Sequence, residues 1–327
     1  MDGEAAAEST VAPYDVVGIG RVGVDLYPMV DRTPLAEVDR FGRFLGGSSA
    51  NVMVAAARYG RRSALVARTG DDAFGTFIRA ELERFGVDAS RVLPDARVRT
   101  TLAFTEIFPP DDFPLTFYRD SPAPESLIEA APELTETALD AHLVWIAATS
   151  FAADPSRTTH EQLIAAPRRG LLAIDLDYRP GFWSSDAEAR ERLAAVLPRA
   201  DIAVGNRKEC EVAIGETDPD RQADALLERG VGVAIVKLGP EGVLAADAND
   251  RVRIAPTPVE VVNGLGAGDA FGGAVIHGIL SGWPLRRVVE FASAAGAIVA
   301  GRRECAAAMP TGAEVEAVLG GASANSI

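Results

Sequence analysis

"VEVVNGLGAGDAFGGAVIHGIL", residues 259–280, runs from a β-branched stretch through a glycine-rich turn into small residues with helical spacing. Gly266, Ala267 and Gly268 carry almost no side chain, so the backbone there can press against a ligand and aim consecutive N–H groups at it. The helix expected from Ala270 to Leu280 adds the positive end of its dipole at the same point. A strand, a bend and a helix start in this order make an anion receptor, and Asp269 stands beside it. The sequence leaves that carboxylate two roles. It accepts the proton of a hydroxyl attacking a phosphoryl group, or it caps the helix.

Outward from this turn, short β-branched runs alternate with amphipathic segments. Strands are expected at Val16–Gly20, Ser63–Arg68, Leu143–Ala147, Leu171–Asp175, Ile202–Val204 and Val233–Leu238. Helices are expected at Ala50–Tyr59, Phe74–Phe85, Ala187–Leu197, Arg221–Arg229, Ala270–Leu280 and Leu285–Ala300. This rhythm predicts an α/β fold with a mostly parallel sheet covered on both faces. Residues 24–45 and 97–119 break it: they alternate apolar with polar residues and read as antiparallel strands standing off the main sheet as a lid. Residues 1–13 and 320–327 read as tails flanking one domain, 14–319.

A second glycine cluster, "YDVVGIGRVGVDLYP" at 14–28, spells G-x-G-x-x-G. A dinucleotide fingerprint needs its third glycine to open a helix. Here the residues after Gly23 alternate with a period of two, and Pro28 and Pro34 interrupt any helix, so the context is a strand. Asp25 lies just past a parallel strand's carboxyl end, where open α/β sheets place ligand contacts; a solvated turn carboxylate is the equal alternative.

The chain has 327 residues, 48% of them hydrophobic, enough for a large buried core, and a formal charge of −15. An acidic surface of this kind disfavours nucleic acid and anionic lipid. Two distant cysteines, Cys210 and Cys305, and three scattered histidines give neither a disulfide framework nor a metal spacing. No run reaches membrane-span length, and the acidic first residues are unlike a signal peptide, so a cytoplasmic protein is expected. There is no G-x-x-x-x-G-K-[ST] loop, so if phosphoryl transfer occurs its anion site is the 266–269 turn.

"GLGAGDAFGGA", 264–274, resembles the C-terminal signature of the ribokinase-like (PfkB) carbohydrate kinases, and "GGSSANVMVAAARYG", 46–60, resembles their N-terminal signature. "GRVGVDLYP", "EIFPPDDFPLTFYR", "DLDYRPGFW" and "GNRKECEVAIGE" extend the likeness from Tyr14 to the "AMPTGAEV" stretch. The resemblance implies a three-layer α/β/α ribokinase-like fold with a small β-sheet lid. It also implies transfer of the ATP γ-phosphoryl group, with Mg2+, to the primary hydroxyl of a six-carbon keto acid. The pair indicated is 5-dehydro-2-deoxy-D-gluconate and its 6-phosphate.

By the same resemblance Asp269 is the base, Gly266–Gly268 the anion hole, Asp25 a sugar-hydroxyl ligand, and Gly46, Gly47 and Asn51 the substrate loop. Asn51 reads equally as a helix cap. Tyr118 and Arg119 match residues that hold a substrate carboxylate in related kinases. Arg179 reaches that acid or the moving phosphate, or pairs with Asp175 or Asp177. Asn206 and Glu209 match a pair near Mg2+ and the phosphates, and read as well as a capping box. Lys237, Gly239 and Gly242 fall along the nucleotide and Ser293 near the adenine. Asn263-Gly264-Leu265 replaces the family's Asp-Thr-Thr, leaving any monovalent cation open. A homodimer through the lid is expected. The competing readings are a kinase for 2-dehydro-3-deoxygluconate or another sugar, a non-catalytic sugar or nucleotide sensor, and a dehydrogenase.

Overall fold

A computed structural model describes residues 14–324. The chain opens with β1 (Val16–Ile19), then β2 (Gly23–Pro28) and β3 (Phe41–Gly46), then α1 (Ser48–Arg58). It continues through β4 (Ser63–Gly70), α2 (Ala73–Arg84), β5 (Val87–Asp95), β6 (Leu102–Thr105) and β7 (Leu115–Tyr118). Next come α3 (Pro132–Leu139), β8 (Leu143–Ala147), α4 (Ser156–Ala165), β9 (Leu171–Asp175), α5 (Asp186–Val196) and β10 (Ile202–Asn206). The last part holds α6 (Arg207–Ile214), α7 (Pro219–Glu228), β11 (Val233–Lys237), β12 (Val243–Ala246), β13 (Arg251–Ile254), α8 (Ala267–Leu280), α9 (Leu285–Ala300) and α10 (Gly312–Ala324).

The central sheet has nine strands in the order β13-β12-β11-β10-β9-β8-β1-β4-β5. Its pairs are parallel from β11 to β5, and β12 and β13 add antiparallel strands at one edge. Alternate residues of a strand bury against opposite layers, and both faces are apolar, as a doubly covered parallel sheet requires. Trp145 faces α1, α8 and α9, while its neighbours Val144 and Ile146 face α4 to α7. The result is the expected three-layer α/β/α sandwich.

Small residues bring α1 and α8 together. A side chain on Gly273 would run into Ala55, and one on Gly272 would meet Trp145 at 2.8 Å. The early G-x-G has the same use: a Cβ on Gly18 would strike Met53 at 2.8 Å, and one on Gly20 would reach the Ser49 hydroxyl at 2.5 Å. A strand, β2, follows Gly23 where a dinucleotide fold has a helix, so these glycines serve the packing of α1 on β1.

The lid is a four-stranded sheet, β3-β2-β6-β7. One correction applies: β2 and β6 pair in parallel, and only the β2–β3 and β6–β7 pairs are antiparallel. The long excursion through the main sheet between β3 and β6 allows this, because it can return the chain in the same direction. Three strands were not anticipated. β5, "VDASRVLPD", carries a proline and three charges, and "VLAA" and "RVRI" of β12 and β13 are short. Residues 320–324, expected to be tail, are the end of α10, while the tail at 1–13 lies outside the described residues. Among the described residues no helix is long and apolar enough to cross a membrane.

Candidate active site

The strand ends of β1 and β9, the start of α1 and the start of α8 meet beneath the lid, at the carboxyl edge of the sheet where α/β folds place ligands. They line a cleft of about 540 Å3, a volume that includes space open to solvent. Gly266 precedes α8 with φ +80°, a left-handed conformation that glycine adopts without strain, and a Cβ there would press on Cys305 Sγ at 2.8 Å. Ala267, Gly268 and Asp269 are the first residues of the helix, whose leading amides have no acceptor within it. Asn263 holds the approach to this turn. Its amide donates to the Arg303 carbonyl (2.7 Å), and its oxygen accepts from Leu265 N (3.1 Å).

Asp269 is anchored from α1. Ser48 Oγ donates to its Oδ1 and Asn51 Nδ2 to its Oδ2, both at 2.8 Å. Burial raises its carboxyl above the usual range, and the bonds from Asn51 and Ser48 oppose that rise. A carboxylate so placed is a stronger base than one in water. Gly47, with φ +97°, lets α1 start against Arg21 and Val22, and a side chain there would collide with both. Asn51 is therefore tied to Asp269, with its Oδ1 unpartnered.

Asp25 projects from β2 into the cavity, and the Tyr27 hydroxyl donates to it at 3.0 Å. Tyr27 also lies 2.7 Å from Cys305 Sγ, and the cysteine lines the cavity wall as well. Burial pushes the Asp25 carboxyl up to about 6, against the pull of Tyr27 and Arg21. Gly46 stands back from the cavity: a side chain there would occupy the place of the Asp25 carboxylate.

Arg179 lines the cavity and pairs with Asp177 at 2.8 Å. Tyr118 does not line it. Strand alternation turns Phe117 inward and sends Tyr118 to the opposite face, 61% exposed. Arg119 stacks on Phe182 (3.9 Å) and pairs with Glu125 (2.9 Å), lining a separate small pocket. The "FYR" stretch thus gives the cavity its phenylalanine, and the expected carboxylate ligands point elsewhere. Arg21 was not singled out from sequence, yet it lines the cavity at the end of β1. Its position after a buried strand was the available signal.

Asn206 and Glu209 form the capping box of α6: Asn206 Oδ1 accepts from Glu209 N (2.9 Å), and Glu209 Oε2 accepts from Asn206 N (2.6 Å). Glu209 also faces Lys237 at 3.8 Å. Burial works against the Lys237 charge, but Glu209, Asp175, Asp177 and Asp269 more than offset it and hold the ammonium above its usual range. Its Nζ lies 3.4 Å from where a Gly268 side chain would begin, so this cation adjoins the 266–268 turn. Gly239 is exposed with open space around it, free for a ligand, whereas a side chain on Gly242 would strike the Ile254 carbonyl. Ser293 is half-buried on α9 and accepts a bond from Thr257 Oγ1 at 3.3 Å.

Residues 14–312 match the pfkB family carbohydrate kinase model, and the chain belongs to that family. It is 33% identical over 311 residues to a 5-dehydro-2-deoxygluconokinase of Photobacterium profundum, covering 91% of this chain and 92% of that one. A protein of the same name from Geobacillus thermodenitrificans is 31% identical over 312 residues, covering 93% and 92%. The family match and the named relatives indicate a phosphotransferase with an alcohol group as acceptor, and a helix start and a lysine beside a buried carboxylate suit that class. Among solved structures, an Escherichia coli ribokinase II in complex with ATP and Mg2+ superposes with a TM-score of 0.82 at 24% identity, covering 94% of this chain and 99% of that one. The dehydrogenase reading falls with these matches.

Proposed function

We propose that the protein transfers the γ-phosphoryl group of ATP to the 6-hydroxyl of 5-dehydro-2-deoxy-D-gluconate, with Asp269 as general base and the 266–268 turn as anion hole. The observation that carries this reading is the Asp269 carboxylate, fixed by Ser48 and Asn51 beside unpaired helix amides and inside the cavity that holds Asp25 and two arginines. The names of the relatives support the choice of acid.

Asp25 accepts a sugar hydroxyl and so orients the ring-opened chain, while the lid excludes water that would otherwise compete for the phosphoryl group. Asp269 takes the proton of the attacking hydroxyl. Negative charge on the transferred group falls on the amides of Ala267 and Gly268 and on the Lys237 ammonium. Gly239 leaves room for the nucleotide.

Among the described residues no cluster of three His, Cys, Asp or Glu side chains could hold a metal unaided. Mg2+ suits such a site, since it keeps most of its waters and takes its other ligands from phosphates and one or two carboxylates. Glu209, exposed over only 12% of its side chain and beside Lys237, is the residue that would hold it, directly or through water. When bound, the ion neutralises charge on the nucleotide phosphates. Asn263 spends its side chain on the backbone of Leu265 and Arg303, so no monovalent cation is assigned.

Measuring ATP consumption with a panel of keto sugar acids and neutral sugars tests the reading. The expected result is consumption with the 5-dehydro acid and a phosphomonoester at its primary hydroxyl. Preference for 2-dehydro-3-deoxygluconate or a neutral sugar would overturn the substrate assignment. Tight nucleotide binding with no turnover on any sugar would favour a sensor.

The lid also supports a homodimer. On the face opposite the cavity, Phe41, Phe104 and Tyr118 stack edge to face at 5.2 Å spacings, and Tyr118 is left largely in solvent. An aromatic cluster on the open face of the lid calls for a cover, and a second lid supplies one. Light scattering at assay concentration is expected to give twice the monomer mass, with Tyr118→Lys shifting it to one. A wild-type monomer would contradict this.

A further inference from the structure

We infer that Arg21 is the residue that reads the carboxylate of the substrate, a specificity contact that rests on the sugar-acid reading above. Arg21 follows the tight turn at the end of β1, a strand in the interior of the sheet, and its side chain lines the cavity. It is only 7% exposed, and burying a guanidinium without a full set of partners is costly. Its protein partners are few: one nitrogen meets Asp177 Oδ2 at 3.5 Å, the limit of a hydrogen bond, and Nε has no hydrogen-bond partner at all. A guanidinium carries five N–H donors, so most of this one's capacity remains unspent inside the cavity.

Two rings fix the group. Phe117 from the lid and Phe182 from the loop after β9 lie 5.5 and 5.4 Å from its central carbon. Aromatic faces attract the cation and restrain its plane without using its N–H groups. A flat, restrained fork with free donors matches a planar carboxylate in two-point contact.

The other arginines are less free. Arg119 is taken by Glu125 outside the cavity, and Arg179 grips Asp177 at 2.8 Å from a side chain 41% exposed. Asp177 lies between Arg179 and Arg21 and holds the former at 2.8 Å and the latter only at 3.5 Å, so the N–H donors of Arg21 are left largely unspent. A substrate carboxylate would accept from those donors. Phe117 belongs to β7, so the lid strand that roofs the cavity also sets the angle of the fork.

The test compares the keto sugar acid with its neutral primary amide for wild type, Arg21→Gln and Arg21→Lys, with the KM for ATP as a control for folding. Wild type is expected to prefer the acid. Arg21→Gln is expected to raise KM for the acid by about 10- to 100-fold, the range for a lost charge-assisted bond, and to leave the amide within about twofold. Arg21→Lys, which keeps the charge but loses the fork, is expected to fall between. Should Arg21→Gln fail to fold, the acid-to-amide ratio of Arg21→Lys gives the same reading. A wild type that prefers the acid, with variants that keep that preference, would overturn the role of Arg21 alone. A wild type indifferent to the acid would overturn the sugar-acid reading and this inference with it.

Discussion

Replacing Asp269 with asparagine lowers kcat by roughly a hundredfold or more, the contribution of a general base, while KM for ATP and thermal stability change little. The amide cannot take a proton, but its oxygen can still accept from one α1 side chain. Its NH2 can donate to the Ser48 hydroxyl or to the unpartnered Asn51 Oδ1. The fold therefore keeps its bonds and the chemistry loses its acceptor. Steady-state kinetics with the sugar acid, alongside a melting curve, checks both halves. Turnover near wild type would remove Asp269 from the reaction, and a collapse in stability would make it a helix cap.

Asp25→Asn separates binding from stability in the opposite direction. The KM for the sugar acid is expected to rise roughly a hundredfold, since a charged acceptor is replaced by a neutral one. The folded protein, however, is expected to gain stability. Asp25 titrates near 6 in the fold, above the carboxylate value of 3.8, so the folded state binds the proton more tightly than the unfolded chain. A carboxyl shifted this way favours folding below about 4, and that contribution is lost as pH rises through about 6. At pH 7.5 the ionised group therefore works against the fold. Asparagine removes that cost, worth about 1–2 kcal/mol after allowance for its contact with the open cavity. Denaturant midpoints should move up at pH 7.5 and coincide with wild type below pH 4. An equal destabilisation at both values would show that Asp25 is structural.

The sheet was legible because its strands are buried on both faces. β8 and β9 are continuous apolar runs with no competing pattern, and they fall where the residues place them. β13, alternating Arg with Val and Ile at an edge, gives too short a period to detect. The 266–268 turn was legible for a stronger reason: Gly266 holds a left-handed backbone, φ +80°, a demand written into the residue type itself. Side-chain direction on the lid was not. One residue of strand register decides whether Phe117 or Tyr118 enters the cavity, and the contacts that set it come from β2 and β6. Arg21 was hidden for a similar reason. Its partners Asp177, Phe117 and Phe182 are distant in sequence, and it sits within a glycine pattern that directs attention to the backbone. The capping box at Asn206 and Glu209 was legible as a local pattern, and the box leaves Glu209 facing Lys237, a contact that no local pattern announces.

The most direct measurement is a crystal structure of the protein with a non-hydrolysable ATP analogue, Mg2+ and the sugar acid. The expected arrangement has the terminal phosphate on the amides of Gly266 to Gly268. The primary hydroxyl should then lie within hydrogen-bond reach of Asp269, about 2.6–3.2 Å. A triphosphate ending elsewhere, or a hydroxyl turned away from Asp269, would contradict the proposed chemistry.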